Sequence, residues 1–424
     1  MIKPTFVISC PIDCYSGYSA RSRDLVKALI NLDKYDVKIY PQRWGGTPWG
    51  FIEDHKEEWG FLKSHIIEGQ LSAQPDIWAQ VTVPNEFQRV GKFNIGITAG
   101  IETTRCAPQW VEGMNRMDLN LVSSEHSKKV FQDSRYQKQD EKTKQVVSTI
   151  ELTSPIEVLF EGVDIEKYFK TSVSPDSEIG QSLDTIEEDF CFLGVGHWLQ
   201  GDLGQDRKDI SGLIRVFLES FKNKSKKPAL VLKTMSGSAS IVDRNLILSK
   251  INAIRNSINS KNLPNIYLLH GEISDSEVNQ LYNHPKVKAM VSLTKGEGFG
   301  RPLLEFSQTK KPIIASNWSG HTDFLNHEFT SLIPGELTKI HPSAQVKDML
   351  IEDSMWFTAD YGYVSGLLKD YFENYKNYQD QGKRLAYYCK TNFSFDKMQE
   401  KLGVILEEKT PKQVELKLPQ LKKI

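Results

Sequence analysis

The stretch Lys295-Gly296-Glu297-Gly298-Phe299-Gly300-Arg301-Pro302-Leu303-Leu304-Glu305 follows directly on the apolar run Ala289 to Leu293. Apolar run, glycine loop and Pro-led segment read as strand, turn and helix. Pro302 suits the first helical position, where its missing N–H would be unpaired anyway. Gly298 and Gly300 allow the backbone to approach a ligand closely. Free amides at a helix start favour an anion such as a diphosphate. Glu305 then falls in the first helical turn, with Glu297 on the loop above it. Two carboxylates flanking an amide-lined loop can bind sugar hydroxyls on either side of a phosphate group. A glycine turn before a helix is common, and an early-turn Glu is favoured by the helix dipole alone. The whole string is therefore the signal, not any one glycine.

Working outward, the chain alternates strand-like and helix-like segments on both sides of this loop. Thr5 to Cys10, Val37 to Tyr40, Ile77 to Val83, Phe93 to Thr98 and Leu119 to Val122 are short β-type runs. Helical spacing of Leu25, Ala28, Leu29 and Leu32, and the segments Trp110 to Arg116 and Ser124 to Gln132, supply the helices between them. A polar stretch, Lys170 to Glu188, lacks an apolar period and reads as a linker. A second alternating series follows: strands at Phe190 to Val195, Ala229 to Lys233, Ile266 to Leu269, Val287 to Leu293 and Ile313 to Ser316, with helices near Ile210 to Lys222 and Leu246 to Ile258. Alternation of this kind implies parallel sheets covered on both faces. The expected fold class is α/β, with two Rossmann-like doubly wound domains facing across a cleft. The expected divisions are 1–170 for an acceptor domain, 171–188 for the linker and 189–385 for a donor domain. Residues 386–424 supply a helix crossing back to the first domain and a Lys-rich tail.

The chain has 424 residues, too many for one ordinary core. Its 53 Lys and Arg against 54 Asp and Glu leave a formal charge of -1, so bulk charge gives no support for a polyanion partner. Five scattered cysteines argue against a disulfide scaffold. The opening residues form one short apolar run without the length of a signal h-region, and no window reaches the ~20 apolar residues of a membrane helix. A cytoplasmic protein is expected.

The Gly-Phe-Gly-x-Pro core and the seven residues between Glu297 and Glu305 resemble the Glu-x7-Glu motif of retaining GT-B glycosyltransferases, group 1, of the glycogen-synthase and bacterial mannosyltransferase type. That resemblance implies that Glu297 contacts donor-sugar hydroxyls and Glu305 the nucleotide ribose, while the amides of Gly298, Phe299 and Gly300 touch the phosphates. Gly194 to His197 followed by Arg207 and Lys208 is similar to the family's basic segment that clamps the donor diphosphate. His197 stands where the family has Arg, and Asp209 where it has Gly, so Arg207 and Lys208 alone carry over. Lys233, at the carboxyl end of its strand, is a further candidate phosphate ligand. Gly17, between the first strand and first helix, occupies the place of the family's glycine loop. The segment Glu102-Thr103-Thr104-Arg105 resembles the acceptor side of the cleft and makes Glu102 the candidate first-domain catalytic group beside Glu297. His126 reads as structural, and Trp318 to Asp323 as a segment lining the cleft.

The resemblance implies transfer of a hexosyl or pentosyl group from a nucleotide-sugar, a substrate and not a cofactor, with retained configuration. The donor loop carries no Asp-x-Asp signature, so no metal is expected. The default acceptor is a carbohydrate or small molecule. Ile340-His341-Pro342 and Trp356 to Asp360 resemble glycosyltransferases of tailed phages, which raises a hydroxymethylated pyrimidine in DNA as an alternative acceptor. A phosphorylase or epimerase relative is the other alternative.

Overall fold

Sixteen short strands, most of them apolar and flanked by helices, organise the computed structural model, which describes residues 3–140, 143 and 145–411. In chain order they are β1 (Thr5–Cys10), β2 (Asp36–Pro41), β3 (Ile77–Val81), β4 (Phe93–Ile97), β5 (Leu119–Val122), β6 (Tyr136–Gln139), β7 (Val146–Ile150) and β8 (Ile156–Val158). The series continues with β9 (Cys191–Val195), β10 (Ala229–Lys233), β11 (Ile266–Leu269), β12 (Val287–Ser292), β13 (Ile313–Ser316), β14 (Ser331–Ile333), β15 (Gly335–Lys339) and β16 (Met355–Ala359).

Two six-stranded sheets result, in the orders β2-β1-β3-β4-β5-β8 and β11-β10-β9-β12-β13-β14. Every pairing in both is parallel. Central strands such as β3 are buried at every residue, as sheets covered by helices on both faces require. The order reverses between β1 and β3 in the first sheet and between β9 and β12 in the second. Loops leaving the carboxyl ends of strands beside such a reversal form the binding crevice of doubly wound sheets. The fold is GT-B, two Rossmann-like domains facing across a cleft.

Three features depart from the sequence expectations. The polar stretch expected to be unstructured contains the helix Glu178–Asp184, capped by Ser177, whose hydroxyl accepts from the Gly180 amide. Its buried residue Leu183, with Ile186 beyond it, supplies apolar anchorage too brief to show as a period. The antiparallel pair β15–β16 adds a ribbon to the second domain. Pro302 is the second helical residue, because the helix opens at Arg301.

The final helix, Phe395–Lys409, lies against the first-domain helix Gly17–Leu32: the Asn31 amide donates to Gln399 at 2.9 Å, and Gly403 meets Leu32. The Lys-rich tail beyond Pro411 lies outside the described residues. Among the described residues no helix is long and apolar enough to cross a membrane.

Candidate functional site

The Glu297 loop leaves the carboxyl end of β12, at the strand reversal, and is pressed flat against the first domain. A Cβ added to Gly296 would sit 1.9 Å from the Glu102 carbonyl, and one on Gly298 would sit 2.2 Å from the Ala99 carbonyl. Only glycine fits at either place. Gly300, at φ 97, needs glycine for conformation as well as space. The Ser123 hydroxyl donates to the Gly298 carbonyl at 3.0 Å, and the Glu297 amide donates to Ser319 at 2.9 Å. The loop is thus held from both domains.

This seating brings four predicted residues together. The Lys208 ammonium donates to Glu297 Oε1 at 2.5 Å, and an Arg207 guanidinium nitrogen lies 3.6 Å from Oε2 of the same carboxylate. Arg207 also donates to the Gly296 carbonyl at 2.8 Å and stands 3.8 Å from Glu102. Burial alone would raise the Glu297 carboxyl, but Lys208 and then Arg207 outweigh it and hold the group at about 2. Burial lowers the Lys208 ammonium in turn. His321, also fully buried, donates from Nε2 to the Ser316 carbonyl (2.6 Å), while its Nδ1 has no partner among the described residues.

Glu305, Lys233 and Gly17 meet elsewhere, in a cavity of about 680 Å³ lined by both domains. Its walls include His197, Thr234 and Met235 from the second domain and Tyr15, Arg23 and Trp59 from the first. His197 stands near Lys208, Lys233 and Arg207; burial first, then these three cations, lower its pKa. That response marks the second-domain wall as electropositive, which is what a diphosphate requires. Glu297 and Lys208 line a separate space of about 10 Å³, and Val195 and Pro302 line both spaces. The ion-paired cluster therefore lies behind the same wall that the larger cavity presents.

Glu305 is tied to the opposite domain through Arg301. Arg301 Nε donates to Glu305 at 2.8 Å, its Nη1 donates to Asp24 at 2.5 Å, and Glu161 lies 3.9 Å away. Asp24 belongs to the helix Gly17–Leu32, so one guanidinium spans the cleft. Burial pushes the Glu305 carboxyl up to about 7, against the pull of Arg301. Neither Arg301 nor its first-domain partners stand out in the sequence.

Other predicted residues fall less directly. Phe299 turns into the core, 5.0 Å between centroids from Phe324, so only its backbone can face a ligand. Gly17 opens its helix, and a Cβ added there would meet no atom within 4 Å, so neither space nor backbone demands glycine. The Lys233 ammonium donates to the Gly271 carbonyl at 2.5 Å. His126 packs edge-on against Trp318 at 4.6 Å, and burial lowers it to about 4. Asp209 adopts φ 50, which accounts for glycine being the family's residue at this point. Its buried carboxylate accepts from the Tyr361 hydroxyl at 2.6 Å and lies 3.9 Å from the Lys295 ammonium.

Residues 208–352 match the family described as glycosyl transferases group 1, a segment that contains Lys208, Lys233, Glu297 and Glu305. Solved structures similar over the whole chain include a glycosyltransferase from Rickettsia africae, at TM-score 0.63 and 13% identity, with 96% of this chain and 98% of that one covered. An Anabaena protein, HepE, in complex with UDP and glucose aligns at TM-score 0.60 and 12% identity over 96% of this chain and all (100%) of its own. Sucrose-phosphate synthase from Thermosynechococcus elongatus aligns at TM-score 0.59 and 11% identity, covering 96% and 98%. No curated protein sequence matches the chain. Residues 208–352 are thus similar to the group 1 glycosyl transferases, and the fold is GT-B.

Proposed function

We propose that this protein is a retaining glycosyltransferase that moves a sugar from a nucleoside-diphosphate sugar to a hydroxyl of a carbohydrate or small-molecule acceptor. The observation carrying this reading is the two-domain cavity that gathers Glu305, Lys233 and Gly17 in front of the Arg207–Lys208–Glu297 cluster. Glu305 binds the ribose, and Lys233, Arg207 and Lys208 face the diphosphate. Glu297 holds donor-sugar hydroxyls, and the amides of Gly298 to Gly300 stand beside the phosphates. Glu102, on the first-domain side of Arg207, faces the sugar or acceptor.

The bond from the anomeric carbon to the diphosphate breaks on the face where the acceptor oxygen attacks. The departing phosphate oxygen takes the acceptor's proton. Fixed cations around the developing negative charge lower that barrier without reorganising, and the closed domains exclude the water that would hydrolyse the donor. With three cations at the leaving group the reaction needs no metal, and turnover should survive a chelator.

A thermal-shift screen with UDP, GDP, ADP and CDP tests the reading, with UDP first because a structure of the same fold holds it. A nucleotide at ~100 times its dissociation constant should add roughly 2.7 kcal/mol. No shift with any of them sinks the proposal.

A further inference from the structure

A second cavity, of about 1220 Å³, lies at the opposite end of the second domain from the cleft. Lys288 stands at the start of β12, Lys310 and Lys311 immediately precede β13, Lys170 enters from the linker, and Lys383 projects from the helix Gln379–Asn392. These positions mark the amino-terminal edge of the sheet, whereas the Glu297 loop and Lys233 lie at the carboxyl ends. A six-residue strand separates the two edges by roughly 20 Å.

Five lysines line this cavity with a single carboxylate, Asp184, which is hydrogen-bonded to His284 at 3.1 Å. Among the described residues none of Lys170, Lys288, Lys310, Lys311 and Lys383 forms an ion pair. Lys311 is buried, and its ammonium donates to the carbonyls of Tyr282 (2.7 Å) and His284 (2.8 Å). An ammonium has three donors, and these carbonyls take two of them. Burial, then Lys170 and Lys288, depress Lys311, and burial, then Lys310 and Lys288, depress Lys170. Like charges are therefore close enough to feel one another. The chain as a whole is neutral to within one charge, so this concentration is local and not a by-product of composition.

We propose that this lysine cavity is a second binding site, for a compact anion carrying two or more phosphate groups. Such a ligand neutralises charges that the protein leaves unpaired and joins the linker, through Lys170, to the edge of the donor sheet and the helix bearing Lys383. A concave site with a buried lysine at its wall suits a small molecule that enters it. An extended duplex would use a surface ridge or groove.

Inorganic tripolyphosphate is the probe, titrated by calorimetry into the full chain. The native protein should show saturable binding that weakens at least tenfold in Lys170→Ala/Lys310→Ala/Lys383→Ala, whose three side chains are exposed and unpaired and whose loss should leave the fold intact. Lys233→Ala, in the cleft, should leave this binding in place, and the triple variant should keep its thermal response to nucleotides. Equal binding by native and triple variant overturns the proposal, as does complete loss in Lys233→Ala. Tighter binding of a 20-base-pair DNA duplex that is abolished in the triple variant would make the face a nucleic-acid surface instead, and overturns it too. These outcomes are read independently of any nucleotide response, so failure here leaves the reading of the cleft untouched.

Discussion

Lys208 and Glu297 are each other's counter-ion: Nζ lies 2.5 Å from Oε1, with Arg207 3.6 Å from the other carboxylate oxygen. The cations assigned to the leaving diphosphate are thus already partly neutralised by the residue assigned to the sugar. On the proposed function, a bound donor would share Lys208 between this carboxylate and a phosphate, replacing one anion partner by another.

Glu297→Gln keeps the volume of the side chain and removes its charge. Turnover should fall by about a hundred- to a thousandfold, as when an interaction aimed at the transition state is deleted. Affinity for the bare nucleoside diphosphate should hold or rise, because Lys208 and Arg207 are released to it. Nucleotide affinity lost in parallel with turnover would place Glu297 in a structural role.

The raised Glu305 carboxyl sets a pH dependence. Its folded pKa of about 7 lies above the ordinary carboxylate value, so between about pH 4.5 and 7 the folded state binds more protons than the unfolded. Stability therefore declines as pH rises through that window. Asp209 and Asp323, raised by burial to about 7 and about 6, add slopes of the same sign. His126, His197, His284 and His321, all lowered by burial, contribute slopes of the opposite sign below about pH 6.5. The Glu305 contribution is therefore read as a difference: Glu305→Gln should shift the slope of melting temperature between pH 5 and 7.5 towards more positive values. An identical slope in the variant would remove Glu305 as a contributor.

Arg301 bridges Glu305 to Asp24 and lies 3.9 Å from Glu161, a carboxyl that Arg21 also faces. Its deletion leaves buried carboxylates facing one another across the cleft. Arg301→Ala should destabilise the protein by about 3–5 kcal/mol in chemical denaturation. Arg301→Lys should recover only part of this, since a point charge cannot serve two carboxylates in a planar fork. Full recovery by lysine would mean that charge alone matters.

At Asp209 two effects can be separated by two substitutions. Both Asp209→Gly and Asp209→Ala remove the acceptor of the Tyr361 hydroxyl and the carboxylate facing the Lys295 ammonium, which keeps its bond to Thr358. Alanine must also adopt φ 50, which costs about 1 kcal/mol more than glycine. Urea unfolding should rank native, then glycine, then alanine in stability; alanine equal to glycine would contradict the backbone account.

What the sequence showed plainly was local. The apolar runs of β1 to β5 and β9 to β13 and the string Lys295 to Glu305 are contiguous, so pattern and turn chemistry reveal them directly. What it hid was distant pairing. Arg301 meets Asp24 across 277 positions, and no local spacing announces such a partner. The ribbon β15–β16 went unread because the burial of β15 follows no alternation: its five residues are mostly exposed. The lysines of the second cavity escaped notice because they are scattered from 170 to 383 within a neutral chain. Gly17 lies on the cavity with no steric reason to be glycine.

The contact of Gly296 and Gly298 with the carbonyls of Glu102 and Ala99 makes the closed cleft a matter of missing atoms. A single methyl at either position would act as a shim between the domains. Gly298→Ala is therefore a means of propping the enzyme ajar with every ionic ligand retained, separating what closure contributes to sugar transfer from what the charges contribute.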